Sequence, residues 1–269
     1  MLSHSVSTRF ISICLLSLAV LLSGCSKNKG IEDVTADELY TRAKSAMDAS
    51  SWDRSIALYK ALQTRYPFGR YTEQSMLDLS YVYFRRGATE EALSTLDRFI
   101  RTYPTHPSVD YAYYLKGLVN YEQNLGFLEK MMPARVRDRD QSQAENAFYD
   151  FQELIRRYPD SRFVPDARQR MVFLRNNLAA YEIVVAEYYL RREAYIAAAN
   201  RARYAIEVYP NTPSIPEALT VMHKAYIELE LPDLAQSSWD VLALNYPDHY
   251  YLQGKRKPRR WTDMLWPFD

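Results

Sequence analysis

Cysteine is close to absent from this 269-residue chain, which has only Cys14 and Cys25. Two thiols near one end make neither a disulfide framework nor a Cys-x-x-Cys metal site, so packing has to hold the fold together. Glycine is scarce too, at seven residues, which leaves little for flexible loops or glycine-rich phosphate cradles. The sequence contains no G-x-G-x-x-G, P-loop, G-x-S-x-G or H-E-x-x-H stretch. The histidines, His4, His106, His223 and His249, stand far apart with no metal-ligand spacing. His106 lies in a Pro-Thr-His-Pro linker, where a local hydrogen bond is its expected use. Carboxylates are plentiful but scattered, the pattern of solvated helix faces carrying ordinary ion pairs. A reaction centre is therefore not expected, and neither is a metal or a cofactor. Neither sign of charge prevails: 34 Lys and Arg against 33 Asp and Glu show no polyanion-binding character and exclude nucleic acid as an expected partner. Long hydrophobic runs are missing as well, because the longest, Phe10 to Leu22, falls short of the roughly 20 residues that span a bilayer core.

That short run suits the apolar centre of a secretory signal, following Arg9. It leads directly into Leu22-Ser23-Gly24-Cys25, which resembles the lipobox of bacterial lipoproteins, where the cysteine is acylated and becomes the new N-terminus. Residues 1–24 are accordingly read as a signal peptide, and 25–34 as a lipid-bearing Cys25 followed by a polar spacer. The covalent lipid is the only attached group expected. Removing the signal takes away Arg9 and no acid, leaving 33 basic against 33 acidic side chains.

Tyrosine, by contrast, is abundant at 23 residues, and five tyrosines precede a proline: Tyr66, Tyr103, Tyr158, Tyr209 and Tyr246. Eleven residues before each stands a small side chain: Ser55, Ala92, Ala147, Ala198 and Ala235. Seven before are Tyr59, Leu96, Phe151, Ala202 and Trp239, and four before are Leu62, Phe99, Leu154, Ala205 and Leu242. Offsets of four and seven share one face of a helix, and the small residue lets a neighbouring helix come close. Proline then ends the helix near its tyrosine. Nine residues beyond the tyrosine come Ser75, Ala112, Ala167 and Ala218, a second small contact on the next helix. The order matches a tetratricopeptide repeat. The expected fold is all-α, an α-solenoid of about five such helix pairs over 35–251, winding as a right-handed superhelix whose first helices line a groove.

Helices are expected from Thr35 to Ala49, Trp52 to Tyr66, Thr72 to Arg86 (stopped by Gly87) and Thr89 to Tyr103. After a linker from Pro104 to Asp110, helix runs to about Asn124 and again from Ser142 to Tyr158. An uninterrupted helix over about 165–192 holds one excess of spacing, and the last helices close at Tyr209 and Tyr246. Thr35-x-x-Glu38 and Ser214-x-x-Glu217 read as capping boxes. The other excess is an insertion at about 125–140, whose first half is apolar and whose second alternates Arg and Asp. It reads as a flap on its own repeat or as a partner contact. The tail, 252–269, carries five basic residues from Lys255 to Arg260, then Trp261, Trp266 and Phe268. It reads as a solvated end or as a binding element for a membrane interface or partner groove.

Three runs carry a family resemblance: Arg65-Tyr-Pro-Phe-Gly69; Asp97-Arg-Phe-Ile-Arg101 leading to Pro104-Thr-His-Pro107 and Asp110-Tyr111; and Val185-Ala-Glu-Tyr-Tyr189 followed by Asn200-Arg201. Together they resemble the BamD (ComL-like) family, lipoproteins of the β-barrel assembly machine in Gram-negative outer membranes. The resemblance spans about Thr35 to Tyr246; the tail after Tyr251 departs from the family's usual ending. It implies a non-enzymatic scaffold, lipid-anchored at the periplasmic face of the outer membrane. Implied partners are a BamA-like barrel protein through its POTRA domains, small accessory Bam lipoproteins and targeting segments of unfolded outer-membrane proteins. By that likeness Tyr66, Pro67, Phe68, Tyr71, Asp78, Tyr81 and Arg98 would hold substrate peptide, while Glu187, Tyr189, Asn200 and Arg201 would meet the POTRA domains. The alternative is an envelope lipoprotein using the same repeats to bind peptidoglycan or coordinate cell-wall and division proteins.

Overall fold

The computed structural model describes residues 34–124 and 141–257. Cys25 with the signal and spacer up to residue 33, the insertion at 125–140 and the tail beyond 257 lie outside the described residues. Among the described residues there are ten α-helices and no strand: α1 Ala36–Asp48, α2 Trp52–Arg65, α3 Arg70–Arg86, α4 Thr89–Thr102, α5 Val109–Asn124, α6 Ser142–Arg157, α7 Val164–Arg191, α8 Tyr195–Val208, α9 Ile215–Glu228 and α10 Pro232–Asn245. They alternate as first and second members of five successive pairs, a tetratricopeptide-like array.

The chain divides into two compact units, residues 1–75 and 76–269, with the boundary inside α3. In the first unit α1 packs on α2. In the second, each helix from α4 to α10 packs on the next in chain order, and α7 also touches α9. That last contact joins first members of adjacent pairs and adds to α4–α5, α6–α7 and α8–α9, which also link one pair to the next.

Each second helix ends as the proline dictates. Tyr66, Tyr103, Tyr158, Tyr209 and Tyr246 all leave helical geometry at φ between −120° and −137° and ψ between 56° and 76°. The N–H of each still donates to the carbonyl four residues back, at 2.8–3.1 Å. Extended backbone is the conformation a following proline leaves open, so the stop is local and repeats wherever the dipeptide does.

The face upstream of each stop is the core. The positions eleven and four before the tyrosine are buried in all five copies, and so are the small residues nine beyond it. Seven before, only Trp239 keeps partial exposure, tilted against His223 with ring centroids 5.1 Å apart. Burying each large member of this set, such as Phe99 or Leu154, contributes about 1.5–3 kcal/mol. Serine takes the small position in the first copy for a visible reason: Ser55 Oγ donates to the Ala43 carbonyl of α1 at 3.0 Å, so its hydroxyl is buried with a partner.

The first helix of a pair stops differently. In four pairs a residue one or two positions past its end takes a left-handed conformation: Ser50 (φ 55°), Gly87 (φ 82°), Glu193 (φ 60°) and Glu230 (φ 55°). Paired hydrogen bonds close each turn, as in Ala88 N–H to the Tyr83 carbonyl at 2.9 Å and Gly87 N–H to that of Phe84 at 3.0 Å. This is the Schellman arrangement. Glycine marks only one of the four, so the others escaped the sequence reading. A Cβ added at Gly87 would meet nothing within 4 Å, so the cost of Gly87→Ala is purely conformational. It should lower stability by about 1–2 kcal/mol, read as a lower urea midpoint with an unchanged slope.

Two caps differ from expectation. Thr35 Oγ1 accepts from Glu38 N–H at 3.3 Å, but the Glu38 carboxylate turns to Arg42 at 2.7 Å, leaving half a capping box. Ser214 makes no side-chain cap, because its backbone is already helical (φ −84°, ψ −12°). Glu217 is drawn instead to Tyr250, whose hydroxyl donates to it at 2.9 Å. The third helix also begins two residues early, at Arg70, once Gly69 (φ 106°) has turned the chain.

Candidate functional site

In the first unit the Tyr66–Tyr71 loop is held by its tyrosines and presents a phenylalanine. Tyr66 OH donates to the Val34 carbonyl at 2.9 Å, and Tyr71 OH donates to Asp37 of α1. Tyr71 lies 5.4 Å from Tyr40, itself 6.1 Å from buried Tyr59, and the Arg70 guanidinium sits 4.8 Å over the Tyr71 ring. These two tyrosines therefore act as fasteners. Pro67 is exposed, and Phe68 projects with 88% of its surface in solvent.

The remaining members of the substrate set lie in the second unit and do different things. Asp78 is buried, Arg98 is exposed on α4, and Tyr81 is half-buried with its hydroxyl accepting from Arg85 at 2.8 Å. Burial, followed by the nearby Tyr81 and Asp78, pushes the Tyr111 hydroxyl up to about 12. Tyr111 belongs to an aromatic stack in which Phe163 lies 5.4 Å from it and 4.6 Å from Tyr114, nearly parallel to the latter. Tyr114 OH donates to Asp166 at 2.7 Å, and burial and that bond raise it to about 12. Sequence reasoning missed this stack, because its members are about 50 residues apart in the chain.

It also missed a charge cluster between α4, α5 and α6. Lys116 Nζ lies 3.0 Å from Asp97 and 3.3 Å from Asp150, and Asn120 donates to Asp150 at 2.6 Å. Burial works against the Lys116 ammonium, but the two carboxylates outweigh it and hold its pKa above the usual lysine value. Each acid looks like surface decoration in sequence. Only the helix packing sets them around one cation.

The four residues assigned to partner binding lie on the packed pair α7 and α8, each with its own neighbours. Arg201 on α8 forks onto Glu182 of α7, with Nη1 3.0 Å and 3.3 Å from the two carboxylate oxygens. Glu182 is buried, which raises its pKa against the pull of Arg201. Arg201 nevertheless keeps 46% of its side chain exposed and has donors to spare. Asn200 is exposed and accepts from Arg203 at 3.0 Å. Tyr189 packs on the alanine-rich core of α7, α8 and α9, its ring 5.7 Å from exposed Tyr188. Glu187 is taken by Lys257, at 2.6 Å.

His223, on α9, lies between Trp239 and Tyr251, its Nδ1 2.8 Å from the Tyr251 hydroxyl. Burial, with Lys224 beside it, holds the imidazole below the ordinary histidine range. The unfolded chain then takes up a proton at about pH 6.5 that the folded chain refuses. The stabilisation is complete above that pH and is lost as pH falls through it towards the folded value. Urea midpoints should therefore drop between pH 7.5 and 5.5, and His223→Gln should shrink the drop.

These elements define a class: an all-α array of tetratricopeptide-like helix pairs. Among the described residues no group of His, Cys, Asp or Glu is placed to hold a metal ion, and no helix is long and apolar enough to cross a membrane. Comparison with known proteins narrows this. The profile of the family described as YfiO, outer membrane lipoprotein, matches residues 32–242. The chain is 39% identical over 248 residues to the outer membrane protein assembly factor BamD of Xylella fastidiosa, covering 91% of this chain and 85% of that protein. It is 38% identical to BamD of Neisseria meningitidis serogroup B (93% and 95% covered) and 39% identical to that of Vibrio cholerae (84% and 94%). The chain belongs to the BamD family of outer-membrane lipoproteins.

Proposed function

We propose that this protein is a lipid-anchored scaffold of outer-membrane β-barrel assembly, on the periplasmic face, with Cys25 as the acylated residue. Its first repeats receive targeting segments of unfolded outer-membrane proteins, and its later repeats hold the POTRA domains of a BamA-like barrel protein; accessory Bam lipoproteins complete the complex. The observation that carries the substrate half of this reading is Phe68, an 88% exposed ring on a loop braced by Tyr66 and Tyr71. Pro67 stiffens that loop. In the second unit, Asp78, Tyr81 and Arg98 are the further candidates for polar contacts to substrate. For the partner half, Arg201 is held in place by Glu182 with part of its guanidinium free, while Glu187, Tyr189 and Asn200 form the surrounding contact.

The test is purification from envelopes in mild detergent. A BamA-like barrel protein should co-purify in stoichiometric amount, Arg201→Glu should lose it, and depletion should lower many outer-membrane barrels together. Sedimentation with purified cell wall and no barrel partner would overturn the proposal.

A further inference from the structure

The strap from Tyr250 to Lys257 lies beyond residue 242, where the family profile ends, and it folds back onto α7 and α9. Tyr250 OH donates to Glu217 at 2.9 Å, Tyr251 OH meets His223 at 2.8 Å, and Lys257 Nζ lies 2.6 Å from Glu187 and 3.7 Å from Glu217. The strap's own backbone is closed by Lys255 N–H to the Tyr250 carbonyl at 3.0 Å. Between strap and helices is a cleft of about 370 Å³ with Leu190 and Val221 on its apolar side and Lys224, Lys255 and Arg256 among its walls.

The charges of this cleft are unbalanced. Glu187 and Glu217 share Lys257, and Glu217 also lies 3.6 Å from His249 Nε2. Both acids are thus occupied within the fold. Lys224, Lys255 and Arg256 have no carboxylate partner among the described residues; the Lys224 ammonium rests 4.9 Å over the Tyr251 ring. Three cations gathered on a concave, partly apolar surface concentrate positive potential there.

We propose that the cleft under the C-terminal strap binds an acidic segment of a partner protein. Its carboxylates meet Lys224, Lys255 and Arg256, and an apolar side chain rests on Leu190 and Val221. A recessed cleft that also displays carboxylates suits a peptide better than a flat anionic bilayer. Glu187 is common to this cleft and to the proposed POTRA contact, but Lys224, Lys255 and Arg256 are not part of that contact, so loss of peptide binding through them with the barrel partner still bound separates the two readings.

The experiment uses the full chain in detergent micelles and a fluorescein-labelled peptide alternating glutamate with leucine. Saturable binding that weakens with added salt is expected. Lys224→Glu combined with Arg256→Glu should weaken it at least about tenfold, while Arg156→Glu, an exposed cation on α6, should leave it unchanged. If the double reversal lowers the melting temperature, Lys224→Gln with Arg256→Gln takes its place, with the same direction expected. No binding, equal binding of the glutamine-for-glutamate peptide, or equal loss in Arg156→Glu would overturn the proposal. So would Lys224- and Arg256-dependent binding to phosphatidylglycerol vesicles without peptide binding.

Discussion

Ala147→Arg is expected to unfold the middle of the second unit. Ala147 is fully buried on α6, packed in one cluster with Ala144, Phe151, Leu154, Ala167 and Leu174. An arginine there has to find room for a long side chain in a close-packed interior and leave its guanidinium without water or a partner. Overpacking alone costs about 1–3 kcal/mol, and an uncompensated buried charge adds several more. The sum, about 4 kcal/mol or greater, lies in the range reserved for a named core lesion. Thermal or urea unfolding should show either a large drop in midpoint or loss of the cooperative transition. Arg137→Ala, in the insertion, should leave the midpoint nearly unchanged. Comparable shifts for the two substitutions would mean that the repeat alignment is wrong.

Gly117→Ala should be the next most damaging, in the opposite direction from ordinary helix propensity. In the interior of α5, alanine in place of glycine would normally gain about 1 kcal/mol. Here a Cβ would stand 2.5 Å from Cε1 and 2.6 Å from Cδ1 of Phe151. That ring is itself fully buried and cannot step aside, so α5 and α6 would have to part. The expected loss is about 3 kcal/mol, at the upper end for overpacking. Phe151→Leu should recover part of it, because a smaller side chain opens the space. A double-mutant cycle measures that coupling, and additive losses would refute the steric account.

The contrast between these two residues shows how far the chain could be read. Ala147 was legible because its role follows from local arithmetic: eleven residues before a tyrosine that precedes proline, on the face shared with Phe151 and Leu154. Gly117 carries no such mark. Its necessity comes from Phe151, 34 positions later, brought against it only when α5 packs on α6. The tyrosines divide in the same way. Tyr66, as a helix stop, follows from Pro67, whereas its bond to the Val34 carbonyl and the stack of Tyr111, Phe163 and Tyr114 depend on tertiary neighbours.

The candidate site was legible in part. Phe68, which the resemblance named for peptide contact, is 88% exposed, and that contact is part of the proposal. Glu187, from the partner set, was expected to be available, yet Lys257 reaches it from 70 residues away. Ser214 was expected to cap α9, but Glu217 turns towards the strap instead. Both outcomes involve the strap from Tyr250 to Lys257, past the last Tyr-Pro stop, where periodicity no longer predicts a packing partner.

The sequence by itself determined the helices, the stop at each Tyr-Pro pair and the buried faces upstream of it. Each of these follows from interactions within a few residues: the proline restricting its neighbour, the 3.6-residue period and the small side chain at a fixed offset. The tertiary structure alone decided which charges are shared, which glycine cannot change and where the strap lies. Those depend on distances between groups far apart in the chain, and such distances exist only once the helices have packed.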